Sequence, residues 1–162
     1  MANYIGVIGE SGIDSHTARL AYQVGEEVAR SGAVLVCGGL SGVMQAAAQG
    51  ARAHGGTTVG ILPGTRREEA NPFISVAIVT GMGEARNAVV VRSSDAVIAV
   101  GGAYGTLSEI AFCLKLGVPV VGLSTWKLSH DGRPLEDPIV RASDPADAVR
   151  RALQAIDRGA LR

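Results

Sequence analysis

Apolar and polar positions fall into blocks along the chain. Six short runs are apolar almost throughout: YIGVIG (4–9), AVLVCGG (33–39), TTVGILPG (57–64), ISVAIVTG (74–81), DAVIAV (95–100) and PVVGL (119–123). Runs of that length bounded by glycine read as strands buried on both faces. Between them the period becomes helical. Leu20, Val24 and Val28 recur four apart, with Ala21, Gly25 and Ala29 beside them, and Asp14 or Ser15 stands where a cap belongs. GVMQAAAQGARAHGG (42–56) is a helix of small residues, suited to close packing on a sheet or on another helix. EARNAVVVRSS (84–94) reads as a helix despite its valines, and 107–116 as the next. TRREEANP (65–72) is the one polar stretch long enough to be a mobile loop. Beyond 123 the pattern loosens. TWKLSHDGRPLEDP (125–138) is turn-rich, 139–142 is a short strand, and Asp144 caps a last helix with Pro145 at its first position. Ala148, Val149, Ala152, Leu153 and Ile156 give that helix one apolar face. Buried strands joined by helices predict an α/β fold, a doubly wound parallel sheet of six to seven strands with helices on both faces. No repeat or linker divides it, so 1–162 is one domain.

Ligands of such sheets bind outside the carboxyl ends of the strands, near a topological switch point. Three predicted strands end in glycine-rich corners. The first is Gly9-Glu10-Ser11-Gly12 and the second Gly38-Gly39-Leu40-Ser41-Gly42. The third is Gly101-Gly102-Ala103-Tyr104-Gly105-Thr106. Glycine lets backbone amides approach an anion, and a helix N-terminus adds partial positive charge. A tight turn accounts for any one corner. Three on one edge, with the hydroxyls of Ser11, Ser41 and Thr106, point to a phosphorylated small molecule. The pattern is not that of a dinucleotide site. The first strand carries Gly6-x-x-Gly9-x-x-Gly12, and the second ends in Cys37-Gly38-Gly39 without an acid for a ribose. The Walker sequence is absent as well.

Two charged residues flank the third corner. Glu109 follows Thr106 by three residues, which puts both on one face of a helix's first turn. A carboxylate there suits the helix dipole, yet it stands beside the expected anion site. Arg86 lies early in the helix after the fourth strand, where it can pair bidentately with phosphate or carboxylate; the plainer reading is a surface ion pair with Glu84 or Asp95.

Composition narrows the partners. Net charge is zero and only six residues are aromatic, which argues against nucleic acid and against an anionic membrane. No apolar run approaches a membrane span, and MANYIGVIGE lacks the basic and apolar regions of a signal peptide. Cys37 and Cys113 lie in apolar stretches, as reduced thiols of a cytoplasmic protein do. With His16, His54 and His130 scattered, no metal site is expected.

GGAYGTLSE (101–109) resembles the PGGxGTxxE signature of the LONELY GUY (LOG) phosphoribohydrolases, long labelled lysine decarboxylases. Their proline falls on Gly101, and their glycine pair on Gly102 and Ala103. Their last glycine, threonine and glutamate fall on Gly105, Thr106 and Glu109. Their arginine-lysine pair falls on Arg86 and Asn87, and VLVCGGLSGVMQAAAQGA resembles their second glycine corner. GMGEARN and GGxxGTLSEIA are closer to a sister group that includes the molybdenum-cofactor carrier protein. The resemblance implies a Rossmann-like fold and a homo-oligomer, dimer or tetramer, built through helices beside the site.

For activity it implies one of two roles. In the first, the N-glycosidic bond of a nucleoside 5′-monophosphate is hydrolysed, with Glu109 and Arg86 catalytic. The phosphate is then held by Gly9, Ser11, Gly38, Gly39, Ser41, Gly42, Gly101, Gly102, Ala103, Tyr104, Gly105 and Thr106. In the second, the same cradle carries molybdopterin or senses a nucleotide without cleaving it, for which Asn87 in place of lysine is no obstacle. Arg66 and Arg67 of the 65–72 loop are placed to close over such a ligand; the plainer reading is an ordinary solvated loop with Glu68 and Glu69 as counter-charges. No cofactor is required in either; an AMP-like nucleotide or molybdopterin is the expected ligand. A pyridoxal decarboxylase would need a Schiff-base lysine. Only Lys115 and Lys127 exist, one late in a helix and one past the last central strand.

Overall fold

The computed structural model describes residues 1–131 and 138–160, so part of the turn-rich 125–138 stretch, and residues 161–162 of the span expected to be one domain, lie outside the described residues. Seven strands form one sheet: β1 (Tyr4–Ile8), β2 (Val34–Cys37), β3 (Thr58–Leu62), β4 (Val76–Val79), β5 (Ala96–Val100), β6 (Val120–Leu123) and β7 (Val140–Arg141). All neighbours are parallel, in the order β4-β3-β2-β1-β5-β6-β7. The helices are α1 (Ser15–Arg30), α2 (Val43–Ala53), α3 (Asn87–Arg92), α4 (Tyr104–Leu116) and α5 (Pro145–Ala160). This is a Rossmann-like α/β fold.

The central strands are apolar throughout because each face is covered. Ile5, Val7, Leu35, Ile98 and Val121 pack beneath α1, α2 and α5. Ile8, Val36, Ile61, Val97 and Ala99 pack beneath α3 and α4. Caps follow the chemistry of the chain. Asp14 Oδ1 accepts the Thr17 amide at 2.7 Å, which settles the choice between Asp14 and Ser15, and Asp144 Oδ1 accepts the Asp147 amide at 2.8 Å. At the far end of the sheet Asp95 and Tyr4 exchange hydrogen bonds, Tyr4 N to Asp95 Oδ2 at 2.7 Å and Asp95 N to the Tyr4 carbonyl at 2.8 Å. They pin β1 against β5.

The small residues of α2 meet another helix. A Cβ on Gly25 would strike the Ala47 carbonyl, and one on Gly50 the Tyr22 carbonyl, so α1 and α2 cross with their backbones almost touching.

Three elements differ from the pattern. The stretch 84–94 is not one helix: a 3-10 turn, Gly83–Arg86, precedes α3, since two positive-φ glycines, Gly81 and Gly83, break the entry. The apolar run AVVV (88–91), whose composition hints at a helix face held against a second subunit, has Val90 and Val91 fully buried in the chain's own core and Ala88 and Val89 half-buried. Finally, α4 starts at Tyr104 rather than 107, which moves Glu109 to the second turn. The 65–72 loop contains a 3-10 turn, Arg67–Glu69, and is moored by Asn71, whose Nδ2 donates to the Gly39 and Leu40 carbonyls at 3.2 and 2.8 Å.

Candidate functional site

From β1 the chain winds outward through β2, β3 and β4 on one side; β5, β6 and β7 extend the other. The direction switches between β1 and β5, and a cleft of about 260 Å³ opens at their carboxyl ends. The first corner supplies Gly9, Glu10 and Ser11; the third supplies Ala103, Gly105, Thr106 and Glu109; Glu84, Arg86 and Asn87 come from the turn into α3. Leu40, Met44 and Pro63 complete the wall.

Arg86 and Glu109, fixed by different elements, thus share one cleft. Each is only 7% exposed. They form no ion pair, although each feels the other's charge. Burial is the largest influence on Glu109 and pushes its carboxyl up to about 7; Arg86 opposes that shift and Glu84 adds to it. Burial likewise lowers the pKa of Arg86, against the pull of Glu109. Among the described residues, three buried side-chain atoms have no hydrogen-bond partner: Arg86 Nε and Thr106 Oγ1 in the cleft, and Thr125 Oγ1 outside its lining. An unmade bond at a buried donor costs about 1–3 kcal/mol, so such groups mark a place reserved for something else. The plainer reading of Arg86 as a surface ion pair fails, since it is buried and Asp95 is engaged at the opposite end of the sheet.

The predicted site residues separate into those in the cleft wall and those behind it. Gly9, Ser11, Arg86, Ala103, Gly105, Thr106 and Glu109 line it. Gly38 lies beneath it, where a Cβ would collide with the Arg86 guanidinium. The bare backbone at 38 makes room for the arginine. Gly39 is turned away: its amide donates to Cys37 Sγ at 3.4 Å and its carbonyl accepts from Asn71. Gly42, at φ 69°, packs on the Glu10 and Ser11 backbone, and Ser41 is exposed outside the cleft. Gly102, at φ 126°, is packed against the Thr106 side chain, while the Gly101 amide donates to the Leu123 carbonyl at 3.1 Å. Tyr104 is 81% exposed and its ring lies 6.0 Å from that of Trp126, whose Nε1 donates to the Ala103 carbonyl at 3.3 Å. Sequence reasoning did not single out Glu10, Leu40, Met44 or Pro63 as site residues. Glu10 and Leu40 were legible as parts of the first and second corners; Met44 and Pro63 reach the cleft only through tertiary packing.

Burial pushes the Cys37 thiol up to about 11 and the Cys113 thiol up to about 12, so neither is a nucleophile at neutral pH. Among the described residues, no cluster of three or more His, Cys, Asp or Glu is placed to hold a metal ion, and no helix is long and apolar enough to cross a membrane.

Likeness to known proteins places the protein in the LOG-like superfamily, in the subgroup that resembles molybdenum-cofactor carriers. The chain belongs to the SLOG cluster4 family, whose model matches residues 2–149. An uncharacterized protein of Archaeoglobus fulgidus is 49% identical over 134 residues, 83% of this chain and 88% of that one. The cytokinin riboside 5′-monophosphate phosphoribohydrolase of Mycobacterium tuberculosis is 40% identical over 94 residues, which are 56% of this chain and 50% of that protein. Among solved structures, the molybdenum cofactor binding protein of Rippkaea orientalis is 37% identical with a TM-score of 0.86, covering 96% of this chain and 98% of that one.

Proposed function

We propose that the cleft between β1 and β5 binds a phosphorylated, nucleotide-like small molecule. One observation carries this reading: two buried donors without partners, Arg86 Nε and Thr106 Oγ1, stand in one cleft beside Glu109, whose carboxylate also accepts no hydrogen bond among the described residues. Thr106, the amides at the start of α4 and Arg86 take the phosphoryl group. Glu109 faces the bond beyond it. With a carboxyl near 7, it is present in both protonation states at neutral pH. In N-glycosidic hydrolysis water adds to the anomeric carbon, the carbon–nitrogen bond breaks, and the proton released by water ends on the departing base. The ionised Glu109 stabilises the cationic sugar and its protonated form supplies that base. Likeness to the M. tuberculosis phosphoribohydrolase supports this reaction.

A second reading is a carrier that holds molybdopterin without cleaving it. It is favoured by likeness to the R. orientalis protein along nearly the whole of both chains, and by Asn87, which lines the cleft where the phosphoribohydrolases have lysine. Incubation with AMP and with an N6-substituted AMP separates the two. Release of free base that disappears in Glu109→Gln establishes the hydrolase. A ligand-induced rise in melting temperature without turnover, larger with molybdopterin than with AMP, establishes the carrier. No response to any of the three overturns both.

The thinner α3/α4 side bears on assembly. Val76 and Ile78 pair in register with Val59 and Ile61, so they stand on that side, yet they are 48% and 44% exposed. We read this as the seat of a second copy of the chain in a cytoplasmic homo-oligomer. A monomer by sedimentation at micromolar concentration overturns it.

A further inference from the structure

We infer that Glu10 reads the sugar of the ligand, its carboxylate accepting the vicinal hydroxyls of a ribosyl group. This rests on the nucleotide reading of the cleft. Its starting point is a charge imbalance. Three carboxylates, Glu10, Glu84 and Glu109, line the cleft against a single guanidinium, Arg86. A phosphoryl group adds further negative charge. The ligand must therefore present hydrogen-bond donors to at least part of the wall.

Glu84 and Glu109 belong to the arginine's end, since both act on Arg86 and Glu84 acts on Glu109. Glu10 does not figure among the charges either of them feels. It comes from the end of β1, on the other side of the switch point. Its side chain spans toward the third corner: a Cβ on Gly101 would lie 3.7 Å from Glu10 Oε1 and 3.4 Å from Thr17 Cγ2. The main chain is fixed, because the Val43 amide donates to the Glu10 carbonyl at 3.0 Å. The carboxylate itself makes no hydrogen bond or ion pair among the described residues. A half-buried acid held in place by its backbone, with its oxygens unengaged, is a prepared acceptor.

The order of groups in the ligand selects the hydroxyls. In a nucleoside 5′-monophosphate the sugar joins phosphate to base. With the phosphoryl group on Thr106 and Arg86, the sugar is the part next to it, and the β1 corner is the wall next to the third corner. A carboxylate has two oxygens at a spacing that suits adjacent hydroxyls, and hydrogen bonds to an ionised acceptor are the stronger kind.

The test is equilibrium binding of AMP and 2′-deoxy-AMP to the full chain, with free base monitored, for wild type, Glu10→Gln and Glu10→Ala. A charge-assisted hydrogen bond is worth about 1.5–3 kcal/mol, so wild type should prefer AMP by roughly 10- to 100-fold. Glu10→Ala should lose that margin of AMP affinity and bind the two nucleotides alike, with 2′-deoxy-AMP the less affected ligand. Glu10→Gln keeps the side chain's shape and should narrow the preference; it reads the same contrast should the alanine variant not fold. Equal wild-type affinities, or a preference that survives in Glu10→Ala, overturns the assignment while leaving the phosphate site standing. Failure of wild type to bind either nucleotide overturns the nucleotide reading together with it.

Discussion

Glu109 and Asp147 are each 7% exposed, yet their carboxyls move in opposite directions. Asp147 sits in the first turn of α5 and accepts the Ser143 amide at 3.0 Å and Arg151 Nε at 2.7 Å, with Arg150 on its other oxygen. The Ser143 bond and Arg151 hold it below the usual carboxylate range. Asp147 is covered at the surface by its own exposed arginine partners, whereas Glu109 is buried in the cleft wall with none of these donors, and that burial pushes it up to about 7. Low exposure alone therefore does not set the direction: Asp147 is covered by donors that favour its charge, and Glu109 is desolvated without any. The chain completes the Asp147 cluster from its own donors and leaves the Glu109 cluster unfinished, with Arg86 Nε and Thr106 Oγ1 unpartnered beside it. An unfinished buried cluster inside a cleft is a statement about a ligand.

The contrast can be broken most forcefully through turnover. If Glu109 acts on the reacting bond, Glu109→Gln lowers the rate of base release from a nucleoside monophosphate by about 10²- to 10³-fold, the loss expected for one preorganised charged group; chromatography of free base measures it. Asp147→Asn leaves that rate unchanged. Next in size is Gly38→Ala. The added methyl collides with the Arg86 guanidinium, so ligand affinity by calorimetry should fall by roughly 10-fold or more, as though a charged hydrogen bond had been lost. A variant that binds as well as wild type would show that Arg86 is not held by the bare backbone beneath it.

Stability against pH sharpens the comparison further, because the two acids carry opposite signs. The folded pKa of Glu109 is raised, so between the ordinary value of 4.5 and about 7 the folded state holds a proton that the unfolded chain has released. Wild type should lose on the order of 3 kcal/mol as pH rises through that window, and denaturant midpoints of Glu109→Gln should lack this slope. Asp147 behaves inversely. Its folded pKa is depressed, so its stabilisation is present above the ordinary value of 3.8 and is lost as pH falls through the lower folded value. The smallest effect is accordingly a lower melting temperature of Asp147→Asn at neutral pH, a deficit that shrinks as the medium is acidified.

Much of the scaffold was legible because burial on both faces leaves a plain trace. All six glycine-bounded apolar runs became strands, and Asp14 and Asp144 became caps through their own side-chain oxygens. Boundaries near glycine were less legible. Ala103, Tyr104 and Gly105 read as part of a turn, but the helix begins at Tyr104 because Gly102, at φ 126°, has already completed the reversal. Of the cleft, the third corner and the Arg86–Glu109 pair were legible from local spacing and resemblance. The role of Gly38 was not, since nothing near it in sequence announces an arginine from the turn before α3. Nor was the aspect of Gly39, whose carbonyl is taken by Asn71 from the loop after β3. Such facts are made by packing between distant segments.

The space above Gly38, filled by the Arg86 guanidinium, carries an implication for how this cleft changes over evolutionary time. Positions 38 and 86 are mechanically one unit: a side chain at the first evicts the guanidinium from where it rests. Homologous chains should therefore vary at the two sites in concert. Lineages that retain the arginine are bound to glycine at its bed, whereas those that have shed it are free to fill the hole, and a larger residue there would be the mark of a protein that has abandoned this ligand.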